Sequence, residues 1–224
     1  MGELFNVFMD FRGVLLEGIM ETLYMTFFSV AIAYVIGLPL GIFLYITQPD
    51  GIMPQKIANT LLSSVINIIR SIPFLIIIII LIPMTRAIIG TGIGSTAAIV
   101  PLVFAAAPFI ARMVEQSLNE LDKGVIDAAR AMGATKMQII LKVMIPESIP
   151  SLIRGLAITT IMLISFSAMA GAVGAGGLGR IAIRYGYQRF MTDVMVLAII
   201  IIVSIVGIIQ FLFNTIAKKI DHRV

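Results

Sequence analysis

Long stretches without charge alternate along this chain with short polar segments. Thr22–Pro49, Ser95–Ala111, Gly155–Gly179 and Val194–Ala217 contain no Asp, Glu, Lys or Arg, and Ala58–Thr85 contains only Arg70. About 20 apolar residues of helix cross a hydrocarbon layer of roughly 30 Å. The pattern therefore predicts five membrane helices, at about 22–46, 58–85, 95–111, 155–174 and 194–217. They make one all-α, polytopic helical bundle occupying residues 1–224, with a polar loop at 112–154 as its longest interruption.

Two of the stretches are irregular. Residues 58–85 would run about 42 Å as a straight helix, too long for one perpendicular span. Either Arg70 faces a polar cavity inside the membrane, where a charge is costly and usually functional, or residues 58–69 lie at the interface, Arg70 snorkels, and the span begins near Ser71. In 22–46, Gly37 and Gly41 lie four apart around Pro39, a spacing that lets another helix approach closely, with a kink at Pro39. Pro101 and Pro108 in the third span free backbone groups that neighbours or water must satisfy, which favours a protein-lined position. Gly90, Gly92 and Gly94 mark a turn.

Composition sharpens the class. Apolar residues make up 59% of the 224 and charged ones 12%, against roughly 25% charged in soluble domains. With no Cys there is no disulfide framework, thiolate metal site or redox couple. The single His222 stands beside Asp221 in the tail and reads as solvated. Residues 1–21 lack the basic start of a secretory signal and read as an extracytoplasmic lead-in. No basic patch is interleaved with aromatics, which argues against nucleic acid. No Ser, His and Asp set, no HExxH and no paired carboxylates are present, so neither a catalytic residue nor a metal or other cofactor is expected.

The 112–154 segment carries the most specific pattern. Leu118, Leu121, Val125, Ala128 and Met132 recur at helical spacing, with Glu120, Lys123, Asp127 and Arg130 on the remaining face. Gly133 is placed to stop that helix in a left-handed conformation. Thr135 and Gln138 have capping-box spacing for a second helix, expected to end before Pro146.

The run Asp127-Ala128-Ala129, Gly133, Val143-Met144-Ile145-Pro146 resembles the cytoplasmic motif of bacterial ABC importer permeases: Glu-Ala-Ala, three residues, Gly, nine residues, Ile-x-Leu-Pro. Asp127, Val143 and Ile145 are substitutions; the other positions match. The segments Arg70-Ser71-Ile72-Pro73-Phe74, Ala106–Glu115 and Gly171–Gly179 are similar to the methionine-uptake branch. The resemblance implies a homodimer of five-span subunits in the bacterial plasma membrane. It also implies cytoplasmic ATPase subunits docking on a coupling helix that includes Asp127, Ala128, Ala129, Gly133 and Pro146, and an extracytoplasmic substrate-binding lipoprotein. Small Ala128 and Ala129 suit close approach of that partner, and Gly133 sets the exit angle.

Other candidates are weaker. Ser165 and Met169 share a helix face and, with Arg70, Ser71 and Pro73, could line a pathway; serines that merely bond carbonyls four residues back read equally well. Gly174–Gly179 matches the alternating glycines of a dinucleotide fingerprint without the βαβ context, so close packing or a turn is the better account. Arg180–Asp193 reads as a polar loop. With the N-terminus outside and the C-terminus cytoplasmic, inner segments hold ten Lys or Arg and outer ones five, Arg70 being set aside. An ion-driven carrier would place carboxylates within a span, and none of the predicted spans contains one. There is no Gly-x4-Gly-Lys-Ser/Thr loop, so ATP hydrolysis belongs to a separate subunit.

Overall fold

The computed structural model describes residues 2–220 and is helical almost throughout, with no strand among those residues. The tail residues Asp221, His222 and Arg223 lie outside the described residues. In order the helices are α1 (Gly2–Ile46), α2 (Lys56–Ser71), α3 (Phe74–Ile80), α4 (Ile82–Ile89), α5 (Ser95–Asn119), α6 (Lys123–Ala131), α7 (Lys136–Ile139), α8 (Ile145–Ala172), α9 (Gly177–Ile181) and α10 (Thr192–Ile220). Two π-helical segments, Ile140–Met144 and Ala182–Tyr187, extend α7 and α9. Four stretches are long and apolar enough to cross a membrane: Asn6–Ile46, Ser95–Asn119, Lys136–Tyr187 and Thr192–Ile220. The broken pair α2 and α3 makes a fifth.

Several expectations change. Residues 58–85 are not one helix, because Pro73 lacks an N–H and disfavours helical geometry at Ile72; α2 stops at Ser71 and α3 starts at Phe74. Arg70 thus sits in the last turn of α2, and a separate helix carries the apolar run after it. Pro101 and Pro108 do not break α5, which continues through both at buried positions as far as Asn119. Pro39 likewise lies inside an unbroken α1.

The second short helix does not end before Pro146. Ile145 N–H bonds to Ile140 O, five residues back, so the ladder changes register just where Pro146 has no donor to give. A π-turn absorbs the proline and the helix continues as α8. The segment Arg180–Asp193 is no loop either, since α9 and its π extension occupy it up to Tyr187.

The chain forms two compact units. Among the described residues the first comprises 2–33, 72–106 and 160–210. Its core joins Leu15, Leu178, Ile181 and Val194, flanked by Phe11, Tyr185 and Leu197. The glycine-rich turn 174–179 is held there by contacts too close for side chains: a Cβ at Gly171 would sit 2.8 Å from the Gly179 carbonyl carbon, and one at Gly177 (φ +85°) 2.6 Å from Thr22 Oγ1. Glu21 clasps the turn. Its Oε2 accepts from Gly177 N–H at 2.6 Å and from Arg180 Nη2 at 3.4 Å, its Oε1 accepts from Ser95 Oγ at 3.0 Å, and Thr22 Oγ1 accepts from Leu178 N–H at 2.9 Å.

Replacing Glu21 by Ala strips acceptors from these donors, at about 1–3 kcal/mol for each donor left unsatisfied. Thermal unfolding of the purified protein in detergent is expected to drop by several degrees for Glu21→Ala and clearly less for Glu21→Gln, which keeps one acceptor. Equal midpoints for Glu21→Ala and the parent would contradict the clasp.

Among the described residues the second unit comprises 34–71, 107–159 and 211–220. Leu44 of α1, Ile66 of α2 and Ala111 of α5 form its core with Leu40 and Leu62. Gly37 and Gly41 face α5, where a Cβ at Gly37 would stand 2.7 Å from Ile110 Cβ, and one at Gly41 2.5 Å from both Ala111 O and Val114 Cβ. Asn59 Nδ2 ties α2 to the end of α1 through Leu44 O (2.6 Å) and Thr47 Oγ1 (2.9 Å).

Candidate functional site: the α6–α7 hairpin

The hairpin is built by local signals. Asp122 caps α6 by accepting Gly124 N–H at 2.8 Å. The helix ends in a Schellman arrangement, with Gly133 N–H to Arg130 O at 3.0 Å, Ala134 N–H to Ala129 O at 3.1 Å, and Gly133 at φ +79°. The capping box is complete: Thr135 N–H donates to Gln138 Oε1 at 2.8 Å and Gln138 N–H donates to Thr135 Oγ1 at 3.4 Å. These two devices at 133 and 135 leave only Met132–Thr135 outside helix between α6 and α7.

The predicted apolar face is corrected. Glu120–Asp122 interrupt the helix between α5 and α6, and Asp122 starts a new one, so the periodicity from Leu118 and Leu121 does not carry through. Leu118 and Leu121 are buried, but α6 turns Ile126 and Ala129 inward, while Val125, Ala128 and Met132 face out. Ala128 and Ala129 therefore do different jobs: Ala129 packs within the unit and Ala128 is on the surface. At the end of α7 and just beyond it, Ile139, Ile140 and Met144 are buried.

The outward face is apolar at its centre and charged at its edge. Val125, Met132 (82% exposed), Met137 and Leu141 stand out, with Asp127 and Arg130 paired at 3.6 Å beside them. Both charges are well exposed, so the pair itself contributes little to stability. Exposed apolar side chains rimmed by charge form a surface suited to another protein, and Met adapts to irregular partners. The exposure of Met132, Met137 and Leu141 was not read from the sequence; the available signal was two methionines and a leucine in an otherwise polar segment. Pro146 lies exposed beyond the hairpin, at the register change that opens α8.

Of the residues read as pathway candidates, Arg70 and Ser71 belong to the second unit and Pro73, Ser165 and Met169 to the first. Ser71 Oγ donates to Asn67 O at 2.8 Å and Ser165 Oγ to Ile161 O at 3.3 Å, both four residues back along the helix. Ser165 and Met169 are both exposed on α8, while Ser167 is buried and donates to Ile164 O. Pro73 precedes Phe74, whose ring stacks on Phe166 at 4.5 Å and 2°, joining the Pro73 corner to the Ser165 turn of α8. No group of three or more metal-ligating side chains occurs among the described residues.

Residues 37–224 match the family described as the inner membrane component of binding-protein-dependent transport systems. A probable D-methionine transport system permease protein, MetI, of Vibrio cholerae is 43% identical over 210 residues, 94% of this chain and 93% of its own length. The methionine import system permease protein MetP of Bacillus subtilis is 49% identical over 203 residues, 91% of each. A chain of the MetNI methionine ABC transporter in an inward-facing conformation superposes with a TM-score of 0.94 at 48% identity, covering 95% of this chain and 99% of that one. A family match over most of the length, relatives similar nearly end to end and a shared fold lead to one conclusion: this chain belongs to the inner membrane components of binding-protein-dependent transport systems.

Proposed function

We propose that the chain is the permease subunit of an ATP-driven methionine importer. Two copies form the translocation pathway, cytoplasmic ATPase subunits dock on the α6–α7 hairpins, and a substrate-binding lipoprotein delivers D- or L-methionine from outside. The observation that carries the coupling role is the outward apolar face of the hairpin, locked at Gly133 and Thr135, in a chain that has no phosphate loop of its own. Methionine is supported by relatives named for its transport that align over more than nine-tenths of both chains. The surplus of Lys and Arg in the segments on the hairpin side supports an outside N-terminus and a cytoplasmic C-terminus.

In this reading ATP binding brings the two ATPases together and moves both hairpins. Because α6 is capped at both ends and α7 is capped at its start and runs on into α8, the hairpin transmits displacement instead of unravelling. The spans then exchange inward-open and outward-open arrangements by rigid-body motion of a bistable interface.

The test is reconstitution of the permease with the ATPase and substrate-binding lipoprotein of a methionine importer, with ATP-dependent uptake of labelled methionine expected. Uptake of a different amino acid but not methionine would redirect the substrate. Uptake by the permease alone without ATP would end the reading. Within that assembly Asp127→Lys reverses an exposed charge on α6 and leaves two like charges at i,i+3 with Arg130. Recovery of the ATPase with the tagged permease is expected to fall by about tenfold, the equivalent of about 1.4 kcal/mol. Undiminished recovery would place the docking surface elsewhere.

A further inference from the structure

A groove of about 400 Å³ runs along α5 beside the end of α2. Phe109, Met113 and Gln116, at helical spacing on α5, form one wall, and Arg70 closes an end. The neighbouring Arg112 and Glu115 are committed through the guanidinium Nη atoms and the carboxylate, only the buried Arg112 Nε being without a partner. Arg112 Nη1 holds Glu115 Oε2 at 2.6 Å, its Nη2 donates to Ser63 O at 3.2 Å, to Ser63 Oγ and to Asn67 Oδ1 at 3.0 Å, and Glu115 Oε1 accepts from Gln48 Nε2 at 3.0 Å. This net ties α2, α5 and the turn that follows α1 together and gives the groove a rigid, internally neutral side.

Arg70 differs. Among the described residues no carboxylate lies within 4 Å of it; its one recorded contact is with the ring of Phe109, 5.8 Å from guanidinium carbon to centroid. A cation–π contact uses the charge and none of the N–H donors, so the fork that binds a carboxylate in bidentate fashion stays available. At the other end Asn119 donates its amide N–H to Glu115 O at 2.9 Å, which leaves Asn119 Oδ1 as an acceptor. One uncompensated cation, an aromatic and thioether wall and free amide oxygens make a site of mixed character. Arg70 offers its donors to a carboxylate and Asn119 Oδ1 can accept from an ammonium, so an amino-acid zwitterion finds a partner for each of its ends. The volume is within the usual range for small-molecule sites.

We infer that this groove is a release-side subsite for an amino acid with an apolar side chain, Arg70 taking its carboxylate and Phe109 and Met113 packing on the side chain. The inference deepens the importer reading and rests on it for the identity of the solute.

The chain has no cysteine, so a thiol introduced at Gln116 reports on the groove without a competing thiol in this subunit. In the assembled transporter carrying Gln116→Cys, millimolar L-methionine is expected to slow alkylation by N-ethylmaleimide severalfold, and methioninol, which lacks the carboxylate, is not. Adding Arg70→Ala should weaken the protection about tenfold or more, the effect of deleting a charge-assisted hydrogen bond, with Arg70→Lys in between. Asn119→Cys serves as a second reporter in case Gln116 itself takes part in binding.

No protection at either position, or protection that survives Arg70→Ala, overturns the inference. Protection that follows the anionic lipid content of the vesicles and ignores the amino acid overturns it in favour of a headgroup. Uptake by the unmodified complex is measured in parallel. Uptake without protection removes only the groove, and protection by another carboxylate solute without methionine uptake removes only the substrate assignment.

Discussion

Gly133→Val leaves the protein in the membrane and removes ATP-driven uptake. A Cβ at position 133 would meet nothing within 4 Å, so the effect comes from the backbone and not from crowding. At φ +79° an L-residue costs roughly 1–2 kcal/mol, and a β-branched one fits worst. If the backbone relaxes to negative φ, the bonds from Gly133 and Ala134 back to Arg130 and Ala129 open, at about 1 kcal/mol each. Either way α6 and α7 lose their fixed angle, while the membrane helices keep every contact they had.

Asn tolerates the left-handed region, so Gly133→Asn is expected to retain most of the uptake and Gly133→Ala to fall between. Uptake, the amount in the membrane fraction and recovery of the ATPase are measured on the same preparations. Full uptake by the Val variant would show that the hairpin angle does not matter.

Gly41→Leu has the larger expected effect on the fold. A side chain there runs into the Ala111 carbonyl and Val114 of α5, at 2.5 Å from the first added carbon. A backbone carbonyl inside a helix cannot turn aside, so α1 must move away from α5. Overpacking usually costs about 1–3 kcal/mol, and contact with backbone puts this site at or above the upper end. Even Gly41→Ala should lower the unfolding midpoint in detergent. Gly13 provides the control on the same helix: its Cβ would meet nothing within 4 Å, and Gly to Ala inside a helix stabilises by up to about 1 kcal/mol. A Gly41→Ala variant as stable as Gly13→Ala would mean that the two helices are not in the close contact described.

The glycines illustrate how much a one-dimensional reading can carry. Gly133 was legible because a helix stop is written within a few residues: a periodic run, a glycine, then Thr135 and Gln138 three apart. Gly37 and Gly41 announced a close approach by their spacing, but nothing near them named α5 as the neighbour. The apolar face of 118–132 was misphased for a similar reason. Periodicity presumes an unbroken helix, and the restart at Asp122 turned Ile126 and Ala129 inward in place of Val125 and Ala128. Pro146 read as a stop because proline removes a donor, but a π-turn just before it supplies a register in which that donor is not needed.

The order of charged and uncharged runs was enough to specify an all-helical membrane protein with five apolar stretches, and the spacing around Asp127 and Gly133 was enough to point to a coupling hairpin. Such features depend on hydropathy, caps and glycine φ, which act over a few neighbouring residues. Which helix receives Gly41, why Glu21 meets a turn more than 150 residues away, and how Arg70 comes to stand over Phe109 were decided by tertiary contact alone. Those pairings join side chains far apart in the chain, where a residue's preference is set by a partner that local pattern does not identify.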